Sequence, residues 1–416
     1  MTAVSGTVQV EVDPAEVGLD AGRLRRIDAA LGRWVDDGRL AGWSVLVSRR
    51  GRVAHVASYG QRDAEAGLPV TEDTLWRIYS MTKPITSVAA MSLYEEGAFS
   101  LTDEVGRWLP ELRDVRVWSG GSPAAPLTVP AVEPIRIWHL LTHTAGLTYG
   151  FLHAHPVDEM YRAAGSDLLT PAGKDLAGAT EVWGSLPLLF QPGTEWNYSV
   201  ATDVLGRLLE VVTGKPLDAV IAERVLRPCG MADTHWWVRP GDAGRLAALY
   251  TRDPTTGGRA RVGGLGDLAL APPELLSGGG GLISTISDYH RFTQMLLAHG
   301  VAPRGERVLG PRTLAFMLRN HLPGDADLAS CARGQFAETS YAGVGFGLGF
   351  GVMLDPRASR VLTSPGEATW GGMASTAFWV DPLEQVGCVF MTQLLPSNTY
   401  PLRPLLRGLV YQALVD

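Results

Sequence analysis

The stretch Arg77-Ile-Tyr-Ser80-Met-Thr-Lys83-Pro84 is the part of this 416-residue chain from which both its fold and its chemistry are inferred. Ser80 and Lys83 are three positions apart, so on a helix their side chains share one face. A lysine beside a serine hydroxyl can make the serine nucleophilic without a histidine. The pair occurs once, because neither of the other two lysines, Lys174 and Lys215, has a serine three residues earlier.

The residues after Ser80 predict that a helix begins there. Pro84 suits a first helical turn, and apolar residues recur from Ile85 to Leu93 with helical spacing. Near a helix N-terminus, free backbone N–H groups and a partial positive charge favour an alkoxide and an oxyanion. The simpler alternative is that Ser80 only caps the helix and that Lys83 is a solvated residue of its first turn.

A free lysine is protonated at neutral pH, so Lys83 needs a partner that can accept or relay the serine proton. The segment Gln191-Pro-Gly-Thr-Glu-Trp-Asn-Tyr198-Ser-Val200 places a tyrosine just before a predicted amphipathic helix that ends at Gly214. A phenol hydrogen-bonded to Lys83 could be held partly as phenolate, take the Ser80 proton and later return it to the leaving group. By residue chemistry alone, a tyrosine in such surroundings is more often a core or interface residue.

Composition indicates a large globular chain that binds no nucleic acid. Hydrophobic residues make up 46% of the sequence, and the net charge of -7 comes without a lysine-rich or arginine-rich run. No segment has the 18 or so uninterrupted apolar residues of a membrane span, and residues 1–20 lack a basic and apolar leader. We therefore expect a cytoplasmic protein with no membrane partner; a homo-oligomer stays open.

The cysteines indicate neither a disulfide framework nor a metal site. Cys229, Cys331 and Cys388 are scattered without CxxC spacing, so free thiols are expected. His139 and His143 are four apart, but Leu140 stands where a zinc-binding His-Glu-x-x-His motif needs glutamate. A packing role is expected for both histidines.

The pattern of elements predicts an α+β fold. A helix capped by Asp20 is followed by a hairpin of strands over 42–47 and 53–59, and alternating runs over 349–354, 375–380 and 385–393 predict strands near the other terminus. Residues 103–226 look mainly helical, with loops over 119–130 and 170–174, and Thr285 starts a helix that ends at Leu297.

We therefore predict an antiparallel sheet built from both chain termini, flanked by helices, with an inserted mainly helical region. The predicted domains are a discontinuous α/β sandwich over 1–102 and 265–416, and a helical domain with the cleft loops over 103–264.

Four motifs in order resemble the serine β-lactamase-like superfamily, which contains class C β-lactamases and DD-peptidases. They are Ser80-Met-Thr-Lys83, His139-Leu-Leu-Thr-His-Thr-Ala-Gly-Leu147, Tyr198-Ser-Val200 and Trp370-Gly-Gly372. The resemblance runs from about residue 17 to residue 409 and is strongest to family VIII carboxylesterases. It implies Ser80 as nucleophile, Lys83 as base and Tyr198 as acid/base. It also implies an oxyanion hole from the backbone N–H groups of Ser80 and Met373.

Two departures from the β-lactamase pattern favour esters over β-lactams. Val200 replaces the asparagine of Tyr-x-Asn, and Trp370 replaces the lysine of Lys-Thr-Gly, which would pair with a substrate carboxylate. Losing that charge-assisted contact costs on the order of 1.5 to 3 kcal/mol, or roughly 10- to 100-fold. Residual β-lactam turnover stays open.

Aromatic residues and glycines suggest where a substrate would bind. Tyr149, Phe151 and Trp183 in the helical region could form an apolar wall, together with Trp236 and Trp237, although core packing is the simpler role for any one of them. The motif implies that Trp370 faces the cleft, next to Gly371 and Gly372. The run Gly278 to Gly281 lacks the Gly-Lys-Ser/Thr ending of a phosphate loop and is expected to be flexible backbone at the cleft.

The predicted function is hydrolysis of carboxylic esters of small or medium acyl chains, through an acyl-enzyme on Ser80, with no cofactor and no metal. A Gly-x-Ser-x-Gly elbow, which would indicate an α/β-hydrolase, does not occur in the chain. Three alternatives stay open: a β-lactamase or DD-peptidase, an acyltransferase that uses the same acyl-enzyme, and a binding module without activity. The natural ester, the acyl length and the enantioselectivity are not determined by the sequence.

Overall fold

The architecture was analysed in a computed structural model that describes residues 8–167, 171, 173–333 and 340–416. Of the loop predicted over 170–174, residues 170 and 172 lie outside the described residues. Within these ranges the helices are too short or too polar to cross a lipid bilayer.

Strands occur near both termini, and shorter strands lie between them. They are β1 (Gly42–Arg49), β2 (Arg52–Asp63), β3 (Leu68–Pro69), β4 (Trp76–Arg77), β5 (Arg116–Ser122), β6 (Ala125–Pro130), β7 (Tyr250–Arg252), β8 (Arg259–Arg261), β9 (Ile283–Ser284), β10 (Val344–Phe346), β11 (Gly351–Met353), β12 (Ala368–Gly371), β13 (Ala377–Asp381), β14 (Val386–Met391) and β15 (Leu394–Leu395).

Helices fill the middle of the chain and flank the strands. They are α1 (Ala21–Asp36), α2 (Thr82–Glu95), α3 (Ile137–Thr142), α4 (Pro156–Ala163), α5 (Leu176–Ser185), α6 (Ala201–Thr213), α7 (Leu217–Ile221), α8 (Arg227–Cys229), α9 (Ile286–Leu297), α10 (Pro311–Met317), α11 (Leu328–Cys331), α12 (Pro356–Ser359) and α13 (Leu402–Tyr411).

The main sheet joins the two ends of the chain, which confirms the predicted α+β class. Among the described residues its order is β10-β11-β12-β13-β14-β1-β2-β3, and each neighbouring pair is antiparallel. Strand β1 pairs with β14, with Val45 opposite Phe390, and so joins the N-terminal strands to the C-terminal ones.

Alternation along the central strands divides the interior into two cores. Val45 and Phe390 point to one face, which α1 and α13 cover, whereas Leu46 and Val389 point to the other, which α2 and α9 cover. Successive side chains of a strand face opposite sides, so a strand buried on both faces can be apolar throughout. All eight positions of β1 are buried.

Several predicted boundaries are confirmed by local capping. Asp20 accepts a hydrogen bond from the Arg23 N–H at the start of α1, and the Thr285 hydroxyl accepts from the Asp288 N–H at the start of α9. Helix α6 ends at Gly214, which has φ of 67°. These residues satisfy backbone groups that a helix end leaves without partners.

Two features of the predicted helical region differ from expectation. The loop predicted over 119–130 is part of the hairpin β5–β6, because Val117 is buried in the core and the Trp118 N–H donates to Leu188 O. Residues 250–261 contribute β7 and β8, and β7 pairs with β15 from the C-terminal part. Both depend on partners distant in sequence. The domain division stays a prediction.

Candidate active site

Ser80 lies in a tight turn that feeds directly into α2. The turn is a 3₁₀ segment, Tyr79–Met81, and Tyr79 has φ of 42°, a conformation uncommon for a bulky residue. Backbone strain of this kind concentrates at functional sites, where the surrounding structure holds it. Strand β4, just before the turn, is fixed by pairing with β9 and by the Ile78 N–H, which donates to Leu282 O.

The Lys83 ammonium lies beside the Ser80 hydroxyl, as the three-residue spacing predicts. Lys83 Nζ donates to Ser80 Oγ over 3.3 Å and to Gly279 O over 2.6 Å. The side chain is 1% exposed, so the simpler alternative of a solvated lysine does not fit this structure. Helix α2 is buried from Thr82 to Leu93, so Lys83 lies within the protein interior.

Tyr198 lies beside Lys83. Its ring centroid is 4.5 Å from Lys83 Nζ, and its hydroxyl oxygen accepts a hydrogen bond from Trp370 Nε1 over 3.2 Å. The ring is buried, and a cation over an aromatic face is electrostatically favourable. The three predicted side chains therefore come together, although Ser80 and Tyr198 are far apart in sequence.

The segment after β12 is held against the nucleophile turn. The Gly372 N–H donates to Thr376 O, and a methyl group on Gly372 would lie 2.4 Å from Ile78 O, so only glycine fits there. Neither the Ser80 N–H nor the Met373 N–H donates to an acceptor within the described ranges. Two uncommitted donors beside a nucleophile are what an oxyanion hole requires.

Arg403 on α13 fixes the same segment and was missed in the sequence. Its Nη2 donates to Gly372 O and Thr376 O, each over 3.0 Å, and a methyl group on Gly371 would lie 2.2 Å from that nitrogen. Nothing in the local sequence marks Arg403, because its partners are backbone atoms about thirty residues away.

A second missed residue, Asp203, anchors the glycine run. Asp203 Oδ1 accepts from Ser277 Oγ over 2.5 Å and from the Gly279 N–H over 3.0 Å. Burial raises the pKa of the Asp203 carboxyl, and the Lys83 ammonium and these hydrogen bonds oppose that rise. Asp203 therefore positions the Gly279 peptide, whose oxygen holds Lys83. A charged residue within the apolar start of α6 was the available sequence signal.

The glycine run is tightly packed, which corrects the expectation of a flexible cleft element. A methyl group on Gly279 would lie 2.4 Å from Asp203 Oδ2, and one on Gly281 would lie 2.6 Å from the Trp236 ring. The Gly278 carbonyl accepts from Thr86 Oγ1 over 2.7 Å. Glycine is required at positions 279 and 281, because a side chain there would collide with Asp203 or with Trp236.

The predicted pocket aromatics separate into two groups. Tyr149 stacks on Phe151 at 4.8 Å between centroids and lies 5.4 Å from the Tyr198 ring, so both are near the site. Trp183 is fully buried and donates to Ser166 Oγ over 3.0 Å. That placement makes Trp183 a core residue and corrects its assignment to the cleft wall.

Trp370, which the motif predicts to face the cleft, is buried against Tyr198. The side chain is 2% exposed and lies edge-on to Phe346, with centroids 5.2 Å apart. Its N–H is satisfied by Tyr198, which lets the indole be buried at low cost.

The two motif histidines lie in structural positions. His139 Nδ1 accepts from the Arg136 N–H over 3.0 Å, and burial lowers the pKa of His139 to about 4. His143 pairs with Ser199 Oγ over 3.1 Å, and complete burial and the nearby Lys83 charge hold its pKa well below 6.5. Over the described part of the chain, no three His, Cys, Asp or Glu side chains are grouped to hold a metal ion.

Comparison with known proteins gives three informative similarities. A profile of the family described as Beta-lactamase matches residues 25–411. Protein Rv1367c of Mycobacterium tuberculosis is 38% identical over 369 residues, which cover 87% of this chain and 88% of that protein. Esterase EstB of Burkholderia gladioli is 32% identical over 426 residues, covering 99% of this chain and 100% of EstB.

A solved structure extends these similarities to three dimensions. EstCE1, described as a hydrolase with promiscuous acyltransferase activity, superposes with a TM-score of 0.78 at 29% identity. The match covers 94% of this chain and 99% of EstCE1.

Proposed function

This chain belongs to the β-lactamase family, with similarity to EstB and EstCE1 that supports its relation to family VIII carboxylesterases, and from this premise we propose that it is a serine hydrolase that cleaves carboxylic esters of small or medium acyl chains. One observation carries the proposal: the buried Lys83 Nζ lies 3.3 Å from Ser80 Oγ and 4.5 Å from the Tyr198 ring centroid.

Acylation follows from this arrangement. Ser80 Oγ forms a bond to the ester carbonyl carbon while its proton passes to the Lys83–Tyr198 pair. The N–H groups of Ser80 and Met373 stabilise the tetrahedral oxyanion. The bond to the alcohol oxygen then breaks, and Tyr198 donates a proton to that oxygen.

Deacylation repeats the same steps with water. A water molecule gives its proton to the Lys83–Tyr198 pair and attacks the acyl carbon, and the oxyanion forms in the same hole. The bond to Ser80 Oγ breaks, Ser80 regains its proton, and the carboxylic acid leaves.

The residues near Tyr198 favour esters over β-lactams. Val200 is fully buried and offers no side-chain amide, and Trp370 supplies a neutral donor in place of a cation. A substrate carboxylate would gain no charge-assisted contact from either residue.

Acyl transfer is the second candidate function, and the similarity to EstCE1 favours it. The acyl-enzyme is the same, and the two reactions differ only in whether water or an alcohol takes the acyl group. Adding an alcohol acceptor during turnover of one ester measures this partition directly.

A panel of p-nitrophenyl esters and nitrocefin tests the proposal on wild type, Ser80→Ala, Tyr198→Phe and Ser92→Ala. Ser92 lies on the same helix and donates to Ala89 O, which makes it a matched control. We expect Ser80→Ala to abolish ester turnover and adduct formation with a serine-reactive phosphonate, whereas Ser92→Ala retains both. Full esterase activity in Ser80→Ala would overturn the assignment. Nitrocefin turnover above that of every ester would make the chain a β-lactamase instead.

A further inference from the structure

A cavity of about 530 Å³ lies directly behind the nucleophile turn. Its walls are mostly apolar and include Trp236, Leu265, Leu268 and Leu275. Tyr79 and Gly280 also line it, and these are the chain neighbours of Ser80 and Gly279. The cavity is therefore lined by the residue that precedes Ser80 in the chain. It is also lined by the residue that follows Gly279, whose carbonyl oxygen accepts from Lys83.

Two residues that line this cavity each carry a buried polar atom that has no partner among the described residues. The Tyr79 hydroxyl and Arg77 Nε are buried without a hydrogen-bond partner in the part of the chain that the structure describes. Both residues line the cavity, and Tyr79 and Arg77 are each 6% exposed. A buried donor without an acceptor is costly, so such groups indicate a missing partner.

The Arg77 charge also lacks a counter-ion in the described residues. Its Nη1 donates to Ala247 O over 2.6 Å and to Gln393 Oε1 over 3.2 Å, and its Nη2 donates to Gly266 O. All three are neutral oxygens, so the inner end of the cavity is positive. Asp267, Glu274 and Lys174 line it as well, and their side chains are exposed; the Asp267 carboxylate attracts the Arg77 charge without forming an ion pair with it.

The position of Tyr198 decides which part of an ester faces the cavity. Tyr198 must reach the alcohol oxygen to protonate it, and Tyr198 does not line the cavity. The leaving alcohol therefore lies on the Tyr198 side of Ser80. The acyl chain leaves the carbonyl carbon in the other direction, on the side of Tyr79 and Gly280.

We propose that this cavity binds the acyl part of the ester, and that Tyr79 and Arg77 recognise an oxygen acceptor carried on an otherwise apolar acyl chain. The proposal rests on the proposed esterase function for the direction of the chain. A keto or carboxylate oxygen accepts from both donors, while the chain fills the apolar walls. Burial raises the pKa of Tyr79 to about 12, so the phenol is a donor at neutral pH.

The test compares p-nitrophenyl esters in pairs of equal chain length. Pentanoate, hexanoate and octanoate are each compared with the ester that carries a keto group next to the terminal carbon. For at least one length we expect the keto ester to have a kcat/KM about 5-fold higher, the effect of one neutral hydrogen bond. The mono-p-nitrophenyl ester of adipic acid carries a carboxylate at the end of the acyl chain. If its kcat/KM exceeds that of the plain ester by more than the keto ester's does, the preferred acceptor is a carboxylate.

Tyr79→Phe removes only the hydroxyl. We expect it to lower the ratio of kcat/KM for the keto ester to kcat/KM for the plain ester toward one. Tyr161→Phe is the matched control, because the Tyr161 hydroxyl is also buried but Tyr161 does not line the cavity. Ala269→Phe fills part of the cavity and should lower the ratio of kcat/KM for p-nitrophenyl octanoate to kcat/KM for p-nitrophenyl acetate. Unchanged ratios in both cavity variants would overturn the proposal.

Binding to the inactive Ser80→Ala protein separates this inference from the proposed function. Calorimetry with hexanamide and 5-oxohexanamide measures recognition without turnover. If no ester is cleaved but the keto amide binds more tightly, the cavity assignment stands and the esterase proposal fails. If esters are cleaved but keto and plain compounds bind and react alike, the esterase proposal stands and this inference fails.

Discussion

Trp370 Nε1 donates to the hydroxyl oxygen of Tyr198 over 3.2 Å, which links strand β12 to the residue proposed as acid/base. In the β-lactamase pattern a lysine occupies the Trp370 position. An indole N–H is a neutral donor, so it stabilises negative charge on the Tyr198 oxygen without attracting a substrate carboxylate. We therefore expect this one residue to affect both proton transfer and substrate preference.

Replacing this donor should slow the chemical step. Trp370→Phe keeps an aromatic ring beside Tyr198 but removes the N–H, and we expect kcat on p-nitrophenyl acetate to fall about 10-fold with little change in KM. Trp183→Phe removes a buried indole N–H that contacts Ser166 and serves as control. An unchanged kcat in Trp370→Phe would show that the hydrogen bond has no role in proton transfer.

Removing the Asp203 anchor should affect stability and activity together. Asp203→Ala leaves the buried Gly279 N–H without an acceptor, so we expect the free energy of unfolding to fall by about 1 to 3 kcal/mol. We also expect kcat to fall about 10-fold, because Gly279 O holds Lys83. Asp203→Asn keeps an oxygen acceptor, so we expect smaller losses of unfolding free energy and of kcat. Urea unfolding measures the first and steady-state kinetics the second. Equal losses in the two variants would mean that the negative charge matters, not the acceptor.

Arg403 should act through the segment from Gly372 to Thr376, which contains the proposed oxyanion-hole residue Met373. Arg403→Met removes two hydrogen bonds to the Gly372 and Thr376 carbonyls, so the Met373 N–H is held less firmly. We expect kcat to fall about 10-fold while KM changes less than 3-fold, since a misplaced donor weakens transition-state binding most. Arg403→Lys retains a cationic donor and should recover part of kcat. A loss of thermal stability with full kcat would limit Arg403 to a structural role.

His139 predicts a pH dependence of stability. Burial lowers its pKa to about 4 in the folded protein, below the 6.5 of a free imidazole. The unfolded chain therefore binds this proton more tightly, and the free energy of unfolding falls as pH drops from about 6.5 to 4, by about 3 kcal/mol from this residue.

The matching variant is His139→Asn, whose oxygen can accept the Arg136 N–H but does not titrate in this range. We expect it to lose about 3 kcal/mol less than wild type when urea unfolding is compared at pH 8 and pH 4. Parallel stability curves for the two proteins would contradict the assigned burial effect.

The sequence predicted those features that depend on local chemistry. The Ser80–Lys83 spacing placed two side chains on one helical turn, and Asp20 and Thr285 marked helix starts through their own side-chain oxygens. The β-prone run over 42–47 and the alternating run over 385–393 predicted strands near both termini.

Features that depend on distant partners were missed or placed wrongly. The hairpin β5–β6 has the glycine and proline content of a loop, yet it forms because Val117 packs in the core and Trp118 pairs with residue 188. Trp183 has the same composition signal as a cleft aromatic, but it donates to a buried acceptor, Ser166, instead.

The sequence by itself determined the predicted class of chemistry, since four ordered motifs name the candidate reacting groups and their spacing along the chain. Only the tertiary structure decided how those groups are held: Asp203 through the Gly279 peptide, Arg403 through two carbonyls, and Tyr198 through an indole. The physical reason is that a nucleophile is identified by its own functional group, whereas its orientation and its buried charge depend on atoms brought close only by folding.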